Sequence, residues 1–197
     1  MHVAQAERVE VLVLVDNTTD ILSSAPPLVT GEIARLLQRR LSPTMGTAYR
    51  CAAHGLSLAI TAYGPNGPRT LLFDGGPAAY AIEMNGLRLG VDFATIGAVM
   101  LSHAHWDHVG GLPRALAMMQ AAKQGRKIPL SLHPAMFQER GFRMPGGAVA
   151  PAEPFLTPKQ WSDLGAAPFV TSEPVTCLDD MFFISDELPP LVPHYVV

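Results

Sequence analysis

Residues 103 to 108 read His-Ala-His-Trp-Asp-His, placing three imidazoles and a carboxylate within six positions. Random placement of this chain's residues would give that spacing in roughly four of ten thousand shuffles, so chance is a weak account of it. Imidazole and carboxylate are the donors that borderline divalent ions accept. His103 and His105 lie two apart, so in extended backbone they project to one side and can share an ion; Asp107 continues the alternation. His108 breaks it. For all four to converge the chain must curl after His105, and Gly110-Gly111 follow at once to let a helix start in close contact with its neighbours. The spacing favours two adjacent ions, His103 and His105 on one, Asp107 and His108 on the other.

These residues need elements to hold them. Ala98 to Leu101 reads as a short apolar strand that delivers the cluster, and Leu112, Leu116 and Met119 form one face of a helix that carries the chain away. Upstream, Val9 to Val15 reads as a buried strand. Residues 31 to 41 read as an amphipathic helix whose arginines form a solvated face. Leu56 to Ala62 and Thr70 to Phe73 read as a hairpin around the turn formers of Tyr63 to Arg69, and Ala78 to Leu87 as a helix. Ile128 to Leu132 is another strand, followed by His133-Pro134. Glycines and prolines from 141 to 158 suggest a long irregular loop. Phe169 to Thr171 and Met181 to Ser185 are the last strand candidates. The expected class is α/β, in one domain spanning 1 to 197.

The H-x-H-x-D-H loop between a strand and a helix resembles the signature of the metallo-β-lactamase fold superfamily. Ala53-His54-Gly55-Leu56-Ser57-Leu58, Leu72-Phe73-Asp74-Gly75-Gly76, Leu101-Ser102-His103, Gly110-Gly111-Leu112 and the opening Leu14 to Thr18 are similar to the dihydropterin-ribofuranosyl-aminobenzene phosphate synthase-like branch. The resemblance implies an αββα sandwich, with His103 and His105 on a first metal and Asp107 and His108 on a second. It also implies divalent ions, zinc foremost, and a metal-held water as nucleophile, which Asp107 would orient as the catalytic residue. Asp74, otherwise an ordinary turn former, would hold a metal ligand in place from behind. Its Asp-Gly-Gly setting replaces the family's usual Asp-Thr-Gly, so a hydroxyl is lost. His133 would approach substrate if its strand runs parallel to its neighbour, although a lone strand-end histidine is more often structural. His54 reads as structural, and Trp106 as packing beside the site.

The resemblance further implies a third histidine, a bridging carboxylate and a later histidine from the second half of the fold. After His108 only His133 and His194 remain, and Asp179, Asp180 and Asp186 lack a ligand-like setting. The expectation is the N-terminal half of the sandwich plus its crossover. Function then divides among three classes: a metallohydrolase or transferase acting on a small-molecule phosphoester, ester or pterin-type substrate; an inactive remnant or half-domain completed by a second copy or another chain; and an iron redox protein. Histidine rather than glutamate at 105 argues against the di-iron form of the last.

With 197 residues, 48% of them apolar, the chain can bury a core. A net charge of -3, from 14 basic and 17 acidic residues, gives no footprint for nucleic acid or an anionic membrane. No apolar run approaches the length of a membrane span, and the start of the sequence lacks a signal-peptide layout. Two cysteines make no disulfide framework, so a reducing, cytoplasmic setting is expected.

Overall fold

The computed structural model describes residues 2 to 185. Asp186 and His194 therefore lie outside the described residues. Strand β1 (Arg8–Val15) opens a six-stranded sheet. It pairs antiparallel with β2 (Ser57–Gly64), which turns through Pro65-Asn66 into antiparallel β3 (Gly67–Phe73). Both hairpin strands run further than the turn formers suggested, and Pro68 lies inside β3. Pro68 lies beyond the stretch where β4 pairs with β3, so its missing N–H leaves no ladder gap on that side.

From β3 onward the sheet is parallel: β4 (Ile96–Met100), β5 (Ile128–Leu132) and, beyond two smaller strands, β8 (Ala166–Val170). Helices fill the crossovers. After α1 (Glu32–Gln38) come α2 (Ala79–Leu89), the single turn α3 (Trp106–Val109), α4 (Leu112–Ala122) and α5 (Pro158–Asp163). The core lies where Leu72, Val99 and Leu130 of the sheet meet Ile82 of α2 and Leu112, Leu116 and Met119 of α4, all fully buried. Each such side chain contributes about 1.5–3 kcal/mol of transfer free energy.

Asn85 fastens this layer. Its amide donates to Leu14 O (2.8 Å) and Cys51 O (3.0 Å), and its oxygen accepts from Cys51 N–H (2.9 Å), so one buried side chain ties β1, the following loop and α2. Of the arginines expected on a solvated face, Arg40 is exposed, whereas Arg35 and Arg39 reach the C-terminal end of α2. Arg39 donates to Leu87 O (3.3 Å), which the Gly90 N–H also reaches, and to Arg88 O, at the partly negative end of α2.

Two small hairpins decorate the sheet. The segment 141 to 158, expected to be irregular, contains β6 (Gly141–Arg143) paired with β7 (Val149–Pro151), and its last residue begins α5. Near the end, β9 (Val175–Cys177) pairs with β10 (Phe182–Ile184). This hairpin is held to β3 by the Arg69–Asp179 ion pair, with Arg69 Nε donating at 2.8 Å. Val9 and Val11, opposite the helical layer by strand alternation, stay exposed. The architecture is mixed α/β: one sheet with a helical layer, as expected for one half of an αββα sandwich. Among the described residues, no helix is long and apolar enough to cross a membrane.

Candidate metal centre

Three parallel strands end at one edge of the sheet, the usual place for a site in α/β proteins. Asp74 follows β3, Ser102 and His103 follow β4, and His133 follows β5. Asp74 adopts the left-handed conformation (φ 60°), which aspartate tolerates better than most residues, and this turn carries its carboxylate beneath the histidine loop.

The Asp74 side chain is fully buried and well supplied with donors. Oδ1 accepts from Ser102 N–H at 2.8 Å; Oδ2 accepts from Ser102 Oγ and from His108 Nδ1, each at 2.7 Å. Ser102 Oγ also lies 2.9 Å from His103 Nδ1. Counting protons assigns the tautomers. Ser102 has one hydroxyl proton and spends it on a carboxylate that can only accept, so His103 Nδ1 must be the donor to Ser102 Oγ. His108 Nδ1 likewise donates to Asp74. Both imidazoles then keep Nε2 as a lone pair, the form in which histidine ligates a metal.

The rings gather closely. His103 lies with its centroid 4.5 Å from His105, edge to face, and 4.1 Å from His108. Asp107 Oδ2 is 3.5 Å from His108 Nε2 and 3.8 Å from His54 Nε2. Burial holds the His103 imidazolium below the usual histidine range, and His108 and His105 push the same way against Asp74 and Asp107. The four expected ligands and Asp74 are thus brought together, and the donor chemistry suits a divalent ion. Among the described residues, no three His, Cys, Asp or Glu side chains are yet disposed as a metal-holding group.

Main-chain contacts pin the loop. Gly75 N–H donates to His108 O (2.6 Å), Leu56 N–H to Asp107 O (3.3 Å) and Gly111 N–H to Gly76 O (3.0 Å). Such contact requires glycine at 110 and 111. A Cβ on Gly111 would collide with Gly75 O and sit 2.9 Å from Ala78 O, and one on Gly110 would collide with the Pro77 carbonyl.

His133 stands at the same edge, as parallel pairing of β4 and β5 requires. Its Nδ1 accepts from Ala135 N–H at 3.2 Å, capping the turn Pro134–Phe137. None of the described hydrogen bonds, ion pairs or ring contacts joins it to the histidine loop. His54 is exposed and its ring lies 5.7 Å from Trp106, at the rim. Asp179 pairs with Arg69, and Asp180 accepts from Thr176 and through its carbonyl from Ala4, so neither faces a ligand. Cys51 and Cys177 are free thiols. Ser102 is the residue that sequence reasoning passed over, although it stands next to the first histidine; only the fold reveals that it bridges His103 to Asp74.

Comparison with known proteins bears on this geometry. The family model described as Anti-Pycsar protein Apyc1 matches residues 60–140, which include Asp74 and the whole histidine loop. The 7,8-dihydropterin-6-methyl-4-(beta-D-ribofuranosyl)-aminobenzene-5'-phosphate synthase of Methanocaldococcus jannaschii is 33% identical over 85 residues, 43% of this chain and 27% of that protein. Among solved structures, Tm1679, described as a metal-dependent hydrolase of the beta-lactamase superfamily, aligns with a TM-score of 0.46 at 18% identity, covering 86% of this chain and 45% of that one. The metallo-β-lactamase MIM-1 of Novosphingobium pentaromativorans aligns at 0.35 and 21%, covering 63% and 43%. The chain therefore spans less than half the length of these relatives.

Proposed function

We propose that the chain carries the metal-binding loop of a metallohydrolase, or a related transferase, that acts on a small-molecule phosphoester, ester or pterin-type substrate. One observation carries the reading: His103 and His108 are tied through Nδ1 to a single buried carboxylate, directly or through Ser102, leaving both Nε2 lone pairs free. In this reading His103 and His105 hold one divalent ion, zinc by donor preference, and Asp107 and His108 hold a second. An ion held there would supply Lewis acidity and bring the pKa of water toward about 7. Asp74 fixes the orientation of His108 and, through Ser102, of His103. Asp107, beside His108 Nε2, orients the attacking water. The remaining donors come from a further stretch of the same polypeptide, a second copy or another chain. The two free thiols suit a reducing compartment.

A second reading, an inactive or partner-dependent half-domain, is favoured by the lack of a ready three-donor group among the described residues. Zinc titration against a chromophoric chelator separates the two. The folded chain should compete for zinc, and a variant carrying His103→Ala and His105→Ala should lose that competition. Equal zinc binding by the variant would refute the ligand assignment, and a folded parent chain that takes up no zinc would favour the half-domain.

A further inference from the structure

A cleft of about 400 Å³ opens beside the histidine loop, a size common among small-molecule sites. His105 and Trp106 line it from the loop, and Arg140, Phe142 and Phe155 line it from the segment that holds the β6–β7 hairpin. Trp106 is 53% exposed and Phe142 50% exposed, so separate elements present large aromatic surfaces to one cleft. That arrangement suits a ligand with two flat apolar faces. Phe155 packs 5.7 Å from Trp161, which is fully buried at the cleft and whose indole N–H has no hydrogen-bond partner among the described residues.

The charge in the cleft is specific. Arg140 is half-buried there, and its guanidinium enters none of the described ion pairs or side-chain hydrogen bonds. Glu153 also lines the cleft but is exposed and makes no ion pair with Arg140. A half-buried, unpaired guanidinium fork matches two oxygens of a carboxylate or phosphate. We propose that this cleft binds a flat aromatic or heteroaromatic ring bearing an oxyanion, with the ring among Trp106, Phe142 and Phe155 and the oxyanion on Arg140. The inference deepens the metallohydrolase reading and rests on it in one respect: the bound molecule is the substrate, held with its reacting group toward His105.

Both tryptophans of the chain line the cleft, so indole emission reports its occupancy. The full chain, treated with chelator, is titrated with phenyl phosphate and with benzoate, and in control arms with inorganic phosphate and with benzamide. Phenyl phosphate or benzoate should give a saturable change, and the tighter of the two identifies the oxyanion. The controls, lacking either ring or charge, should bind at least about tenfold more weakly, and Arg140→Gln should bring the charged ligands down to the level of benzamide. Phe142→Ala, at an exposed position, should weaken every ring ligand while leaving the melting temperature unchanged. A response equal to that of inorganic phosphate, no saturable response, or indifference to both substitutions would overturn the proposal. Ring binding without zinc uptake would support the cleft and sink the metallohydrolase reading; zinc uptake without ring binding would do the reverse.

Discussion

Asp74→Asn isolates the proton arrangement from the fold. Asparagine is nearly isosteric and accepts the left-handed backbone that Asp74 adopts, so the turn survives. Its oxygen can still accept from Ser102 N–H, replacing the 2.8 Å contact. What changes is the atom facing His108 Nδ1 at 2.7 Å, which becomes an amide N–H donor. His108 must then accept at Nδ1 and carry its proton on Nε2, where it cannot ligate. Loss of the charge-assisted bonds should lower unfolding stability by about 1.5–3 kcal/mol, with the core intact. Zinc affinity should fall by roughly 10- to 100-fold, the usual cost of losing such a supporting carboxylate. Urea melts measure the first, chelator competition the second, and ¹⁵N spectra of the metal-free imidazoles read the tautomer directly. If His108 in the variant still carries its proton on Nδ1, or zinc affinity is unchanged, the tautomer argument is wrong.

Three further outcomes are expected. Gly111→Ala should destabilise the chain by more than about 2 kcal/mol, since the new methyl meets backbone carbonyls that cannot swing aside, and urea melts would show it. Because His103 has a lowered folded-state pKa, the unfolded chain binds more protons as pH drops; the metal-free protein should be most stable above about pH 6.5 and lose stability as pH falls toward the folded value. Melting curves between neutral and mildly acidic pH should show that loss, and His103→Gln should flatten it. His133→Asn should keep the cap on Pro134–Phe137, whereas His133→Ala should cost about 0.5–2 kcal/mol, with zinc binding unaffected in both.

The histidine loop stood out in the sequence because its imidazoles and carboxylate are nearly contiguous and of chemically selective types, and the fold gathers them around Asp74. Strand β5 was read to its correct bounds because Lys127 and His133-Pro134 bracket the alternating Ile128, Leu130 and Leu132, which are the buried residues of the strand. The hairpin β6–β7 was not read, since its three-residue strands sit among glycines and prolines and acquire their pairing only from each other. Helix α5 did carry a signal. Thr157 and Gln160 form a capping box around Pro158, and the turn-rich stretch before it obscured the start. The roles of Ser102, Arg140 and Trp161 depend on segments far apart in sequence meeting in space, which no local pattern encodes.

The main-chain pins on the histidine loop also bear on how the protein would choose among metals. Gly75, Leu56 and Gly111 hold the loop's main chain before any ion arrives, so the backbone share of the cost of ordering the ligands is already met by the fold, and the side chains have only to turn. Swapping one first-row ion for another would then be a ligand exchange on a rigid frame, with little refolding to discriminate between them. Preference on such a frame follows the intrinsic order of the ions, with copper ahead of zinc and zinc ahead of iron or manganese. The metal recovered with the protein from a cell would accordingly report what that cell made available as much as what the chemistry requires.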